Sequence, residues 1–122
     1  MKPAPETLAE WQKRLLEFDE NRGWEKVAPE HTALHGLEEF GEVARELLVI
    51  AAYKTPDADA EERLAGEMAD LFFILFKLAN QMGVTLQPSL ARKLAENESR
   101  FPVLTSRAAM AAYIEARGKD KG

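Results

Sequence analysis

Two acidic pairs, Glu39-x-x-Glu42 in GLEEFGEVARELL and Glu67-x-x-Asp70 in AGEMADLFFILF, sit inside apolar sequence rather than in a charged, solvated stretch. A three-residue spacing puts both carboxylates of a pair on one face of a helix, about 5–6 Å apart at Cβ. In an antiparallel hairpin of two such helices, Glu39 faces Asp70 and Glu42 faces Glu67, because both pairs of positions add to the same total. Four carboxylates then converge on one small volume. At an effective dielectric near 20, each close pair repels by roughly 2–3 kcal/mol. Only protons or a bound cation make that tolerable, and oxygen-only ligands select a hard ion, Mg²⁺ with Mn²⁺ as the alternative. Metal-dependent chemistry is the expectation.

The context supports a buried cluster. Asp70 lies one residue from the apolar run Leu71–Phe76, and Glu39 and Glu42 are interleaved with Leu37, Phe40 and Val43. Gly41 separates the first pair and Gly66 directly precedes the second. Each costs about 1 kcal/mol against Ala inside a helix, so both predict a close approach of the two helices beside the acidic residues.

Almost the whole chain reads as helix, with Pro and Gly mostly where helices would start or stop. A first helix is predicted over Pro5 to Asn21, with Leu8, Trp11, Leu15 and Phe18 on one stripe and Arg22-Gly23 at its end. A linker carrying Trp24 and Pro29 follows. The second helix is predicted over Glu30 to Lys54, then a turn at Thr55–Asp59, then a third helix from Asp59 to Met82 that stops at Gly83. The run Leu71–Phe76 is apolar all round, which predicts a helix buried on every side and, in a small bundle, partner subunits to cover it. A fourth helix starts near Gln87-Pro88 and ends before Phe101-Pro102. A short fifth is predicted over Ser106 to Ala116, capped by Thr105 or Ser106, with Gly118 to Gly122 frayed.

The bulk properties narrow the function. A chain of 122 residues fits one domain. Cysteine is absent, which removes disulfides and thiolate metal sites. A formal net charge of −5 argues against binding to a nucleic-acid backbone. The start, MKPAPETLAEW, lacks the basic and apolar regions of a signal peptide, and the longest apolar run is too short for a bilayer. A cytoplasmic protein with no membrane partner is expected. His31 and His35 are spaced i, i+4, but no Glu-x-x-His of the di-iron bundles accompanies them, and HTALH lacks the Glu of zinc proteases.

With E-x-x-E, a gap of 24 residues and E-x-x-D on consecutive helices, the chain resembles the MazG-like, all-α nucleoside triphosphate pyrophosphohydrolases. EEFGEVARELL looks like that family's first acidic helix, and EMADLFFILFKLANQMGV like its second with the glycine after it. KLAENESRFP is similar to its closing K-x-x-x-N-x-x-R-[YF]-P motif. The resemblance covers roughly Trp24 to Pro102. It implies a four-helix-bundle-like fold with a short extra C-terminal helix: one domain over 1–122, core about 5–102 and extension 103–122, assembled as a dimer or tetramer.

The resemblance also implies a reaction. A nucleoside triphosphate is hydrolysed between its α and β phosphates, giving monophosphate and pyrophosphate in nucleotide-pool house-cleaning. Glu39, Glu42, Glu67 and Asp70 would hold Mg²⁺, and Glu39 or its neighbour Glu38 would assist the attacking water. Lys93, Asn97 and Arg100 would contact phosphate and sugar, and Trp24 would stack on the base; Lys54, just past Tyr53, is a further candidate phosphate ligand by its position. Some base-selective relatives have a His and an Asn where this chain has Val27 and His31, and a Trp where it has Val49, so the preferred base stays open. Two rival readings remain. One is a non-enzymatic metal-binding bundle in which His31 and His35 join the carboxylates. The other is an inactive interaction module, against which the retained acidic quartet argues.

Overall fold

The structure, a computed structural model, describes residues 2–51 and 58–120, the side chains of 119 and 120 excepted. It contains α1 (Leu8–Glu20), a 3-10 turn (Trp24–Lys26), α2 (Pro29–Ile50), α3 (Ala60–Gln81), α4 (Leu86–Arg100) and α5 (Val103–Asp120). No strand occurs among the described residues, as the periodicity predicts. The chain divides into two compact units, Met1–Leu86 and Gln87–Gly122.

In the first unit, α1 starts later than Pro5 because Thr7 builds a capping box. The Glu10 N–H donates to the Thr7 hydroxyl at 3.1 Å, and the Thr7 N–H donates to the Glu10 carboxylate at 3.3 Å. The chain then turns at Gly23, with φ at 72°, and winds one 3-10 turn that the sequence pattern does not announce. Gln12 fastens α1 to the far end of α3. Its amide N–H donates to the Val84 carbonyl at 2.6 Å, and its amide oxygen accepts from the Leu86 N–H at 3.0 Å. Between these contacts Gly83, at φ 68°, stops α3 as expected.

α2 and α3 pack antiparallel along one seam. Positions climb on α2 as they fall on α3: Gly36 meets Ile74, Glu39 lies beside Asp70, and Glu46 pairs with Arg63. The close approach is at Gly36, not at the predicted glycines. A Cβ there would lie 3.2 Å from the Ile74 Cγ2, whereas one at Gly41 or Gly66 would meet nothing within 4 Å. The reason is angular. Gly41 stands about 200° round the helix from Glu39 and Gly66 about 100° from Glu67, so both face away from the seam.

The apolar core comprises Leu15, Val43, Ala60, Phe76 and Ala79. The run Leu71–Phe76 is not buried all round within one chain: Phe76 is 5% exposed, but Phe72 and Leu75 keep 55% and 49% exposure. In this unit α3 is flanked by α1 and α2, which leaves a third side open. The expected turn at residues 55–57, and Lys54 with it, lies outside the described residues. α2 is described to Ile50, capped by Ala51.

In the second unit, α4 agrees with its predicted span, whereas α5 exceeds its own. It begins at Val103 directly after Pro102 and stays helical through Gly118 to Asp120. Thr105 does not cap it; its hydroxyl donates back to the Pro102 carbonyl at 3.3 Å. Four alanines within Ala108–Ala112 have the highest helix propensity of any residue, and Gly118 falls in the last turn, where it costs little. Leu90, Leu94, Leu104 and Ile114 are all more than half exposed.

Candidate metal centre

Along the seam α2 presents Thr32, His35, Glu39, Val43 and Glu46 at steps of three or four residues, the spacing of one helix face. α3 answers with Arg63, Glu67, Asp70 and Ile74. Glu39, Glu67 and Asp70 each offer a carboxylate oxygen, and the three oxygens lie within 4.8 Å of one another. Glu39 and Glu67 are half-buried, and Asp70 is open to solvent. Glu42, the fourth member of the expected quartet, is exposed and stands outside this trio. Its charge still reaches the cluster. Desolvation first, then the charges of Glu39, Glu42, Asp70 and Glu46, push the Glu67 carboxyl above the ordinary glutamate range.

The trio suits a hard divalent cation. Its donors are all oxygens, too close to stay ionised together without cost, and the open side at Asp70 leaves coordination positions for water and ligand, as Mg²⁺ requires. One layer further along, the seam is neutralised instead. Nε of Arg63 donates to Glu46 at 3.1 Å, with Glu46 only 6% exposed. Sequence reasoning missed this layer, although positions 46 and 63 add to the same total as the two acidic pairs. That arithmetic was the available signal.

Beside the trio opens a cleft of about 420 Å³ lined by Phe18, Trp24, His35, Glu39, Asp70, Phe73 and Ile74. Its aromatic walls are locked edge to face. The Phe18 centroid is 5.8 Å from that of Trp24 and 5.7 Å from that of Phe73, an arrangement that favours fixed rings. The Arg22 guanidinium covers Phe18 at 3.7 Å. Trp24 thus reaches the candidate site from the 3-10 turn, half exposed. His35 joins the cleft to the trio: its Nε2 lies 3.1 Å from Glu39 Oε1.

The other candidates are placed as follows. Glu38 is exposed on α2, next to Glu39. Lys93, Asn97 and Arg100 are exposed on α4, where Lys93 pairs with Glu96 at 3.3 Å and Arg100 lies 5.2 Å from the Phe101 ring centroid. Their helix belongs to the second unit, apart from its first residue.

Compared with known proteins, residues 13–97 match the family model of phosphoribosyl-ATP pyrophosphohydrolase, more than half of the chain. The chain belongs to this family. Membership places it in the MazG-like all-α superfamily and among pyrophosphohydrolase-type hydrolases of acid anhydrides. The matched stretch contains both acidic pairs, Trp24, Lys93 and Asn97, and stops short of Arg100. An uncharacterised protein of Bacillus subtilis (strain 168), YvdC, is 31% identical over 104 residues, covering 77% of this chain and 95% of its own length. No solved structure matches the chain. Among the described residues no single helix is long and apolar enough to cross a membrane.

Proposed function

We propose that this family member is a Mg²⁺-dependent nucleoside triphosphate pyrophosphohydrolase, cleaving between the α and β phosphates to release monophosphate and pyrophosphate. The observation that carries this reading is the sharing of Glu39 and Asp70 between the carboxylate trio and the aromatic cleft. The cleft offers aromatic surface to a flat base, and a polyphosphate reaches a cation only if the two subsites adjoin. A divalent cation bound there would neutralise the phosphates and polarise the scissile phosphoryl group.

The chain's own residues divide the remaining work. Glu39, Glu67 and Asp70 hold the cation, with Glu42 adding negative potential at the edge. Trp24 and Phe18 present ring surfaces to the base. Glu38 or Glu39 takes the proton of the attacking water. Lys93, Asn97 and Arg100 are the motif-based candidates for phosphate and sugar, and Lys54 for phosphate. The open flank of α3, at Phe72 and Leu75, supports assembly with a second copy. House-cleaning of non-standard or excess nucleotides is the role that fits this chemistry. The match over residues 13–97 favours one further substrate, phosphoribosyl-ATP, which carries the same triphosphate.

One assay decides. The protein is incubated with canonical and modified (d)NTPs and with phosphoribosyl-ATP, in Mg²⁺ or in chelator, and monophosphate and pyrophosphate are followed. Metal-dependent pyrophosphate release is expected. Its absence with every substrate sinks the enzymatic reading, and orthophosphate in its place means that another bond is cut.

A further inference from the structure

Among the described residues, His35 lines the aromatic cleft and also hydrogen-bonds to a member of the carboxylate trio. It stands one helical turn before Glu39, with Nε2 at 3.1 Å from Oε1. As a metal ligand Glu39 is an ionised carboxylate that only accepts hydrogen bonds, and in that state the ring N–H is the donor. The bond addresses a specific problem. Glu67 and Asp70 repel the Glu39 carboxylate, and a glutamate has three side-chain torsions through which to swing away. An imidazole anchored on the same helix restrains one oxygen and with it the orientation of the carboxylate beside its two neighbours.

We propose that His35 is a positioning residue that orients the Glu39 carboxylate for the cation, from within the cleft that receives the base. The proposal rests on the reading of the trio as a metal centre, and it holds whichever nucleotide the cleft accepts. His35 lies outside the trio itself, so its role is to aim a ligand. Groups that orient metal ligands typically contribute about 10–100-fold in metal affinity.

The test measures Mn²⁺ binding to the full chain without nucleotide, by electron paramagnetic resonance and calorimetry. His35→Ala should weaken Mn²⁺ binding about 10-fold. The side chain is 51% exposed, so its loss leaves the fold in place, and an unchanged helical circular-dichroism spectrum checks this. His35→Gln puts an amide N–H near the position of Nε2 and should restore affinity to within about 3-fold of wild type. His31→Ala, the same residue type one turn earlier, should bind as wild type does. With substrate, saturating Mn²⁺ should return His35→Ala to near wild-type kcat while its metal requirement stays raised.

Wild-type affinity in His35→Ala overturns the proposal. Failure of His35→Gln to rescue also overturns it and makes the imidazole itself a ligand, as does weakening by His31→Ala. A wild-type chain that binds no Mn²⁺ overturns it outright. A chain that binds Mn²⁺, responds to these variants as described and yet releases no pyrophosphate supports the proposal and defeats the proposed reaction instead.

Discussion

Two neighbouring layers of the α2–α3 seam have opposite electrostatics. In one a buried carboxylate, Glu46, is met by Arg63 at 3.1 Å. In the other, Glu39, Glu67 and Asp70 crowd within 4.8 Å, and among the described residues Glu39, Glu42, Asp70 and Glu46 all push the Glu67 carboxyl in the same direction. One additional Arg would offset only one of these three carboxylates, whereas Arg63 alone balances Glu46. Inside the chain the acidic layer meets His35, at 3.1 Å from Glu39, and on the metal reading proposed above the rest of its counterion is a bound cation.

The sharpest way to break this contrast is Asp70→Asn. It removes one ligand charge and should reduce pyrophosphate release by at least about 10³-fold, since chemistry that relies on a metal fails without it. The fold should be unchanged or more stable, because a repulsion is relieved. Full activity in this variant would place the metal elsewhere.

Arg63→Ala should act the other way. It strands the buried Glu46 carboxylate and should cost about 1–2 kcal/mol, less than a fully buried pair because Arg63 is 40% exposed. That corresponds to a Tm lower by about 4–8 °C, with Mn²⁺ affinity nearly unchanged. Parallel losses of affinity and stability would show that the two layers are one unit. Glu67→Gln tests the acidic layer for stability: it should raise the Tm of the chelated protein and abolish the increase that Mg²⁺ gives wild type.

The smallest effect is expected at a carboxylate away from the seam. Burial, opposed by Lys77, reinforced by Glu25 and opposed by Arg22, leaves Asp19 with its pKa raised above 3.8. A raised folded pKa means that the proton is held more tightly in the folded state. The linked stability is complete below 3.8 and is lost as pH rises through the folded value. Asp19→Asn should therefore raise the Tm slightly at pH 7 and leave it unchanged at pH 3.

The helical class and the pairing of Glu39 with Asp70 were legible because both follow from periodicity, and periodicity survives folding. Glu46 and Arg63 were legible in principle, but a single Glu beside Arg45 and a single Arg after Glu61 and Glu62 do not stand out from ordinary surface charges. Gly41 and Gly66 misled because a glycine's cost in a helix says that it has a reason, not which way it faces. The 3-10 turn that delivers Trp24 to the cleft was invisible, since three residues are too few for any period. The all-round apolar stretch of α3 was read correctly as composition, but within the first unit α1 and α2 leave Phe72 and Leu75 about half exposed.

Gly36 gives the site a gauge. It lies one turn from Glu39, on the line where α2 and α3 come closest, and a methyl group there would force Ile74 aside by a few tenths of an ångström. Oxygen ligands sit at about 2.0–2.1 Å from Mg²⁺ and about 2.3–2.6 Å from Ca²⁺, a difference of the same size. On the proposed reading of the trio as a Mg²⁺ site, the missing side chain at position 36 keeps α2 and α3 close enough for the shorter of these distances. Gly36→Ala should move the ratio of the two dissociation constants toward calcium, and an unchanged ratio would mean that the opening is set by other contacts.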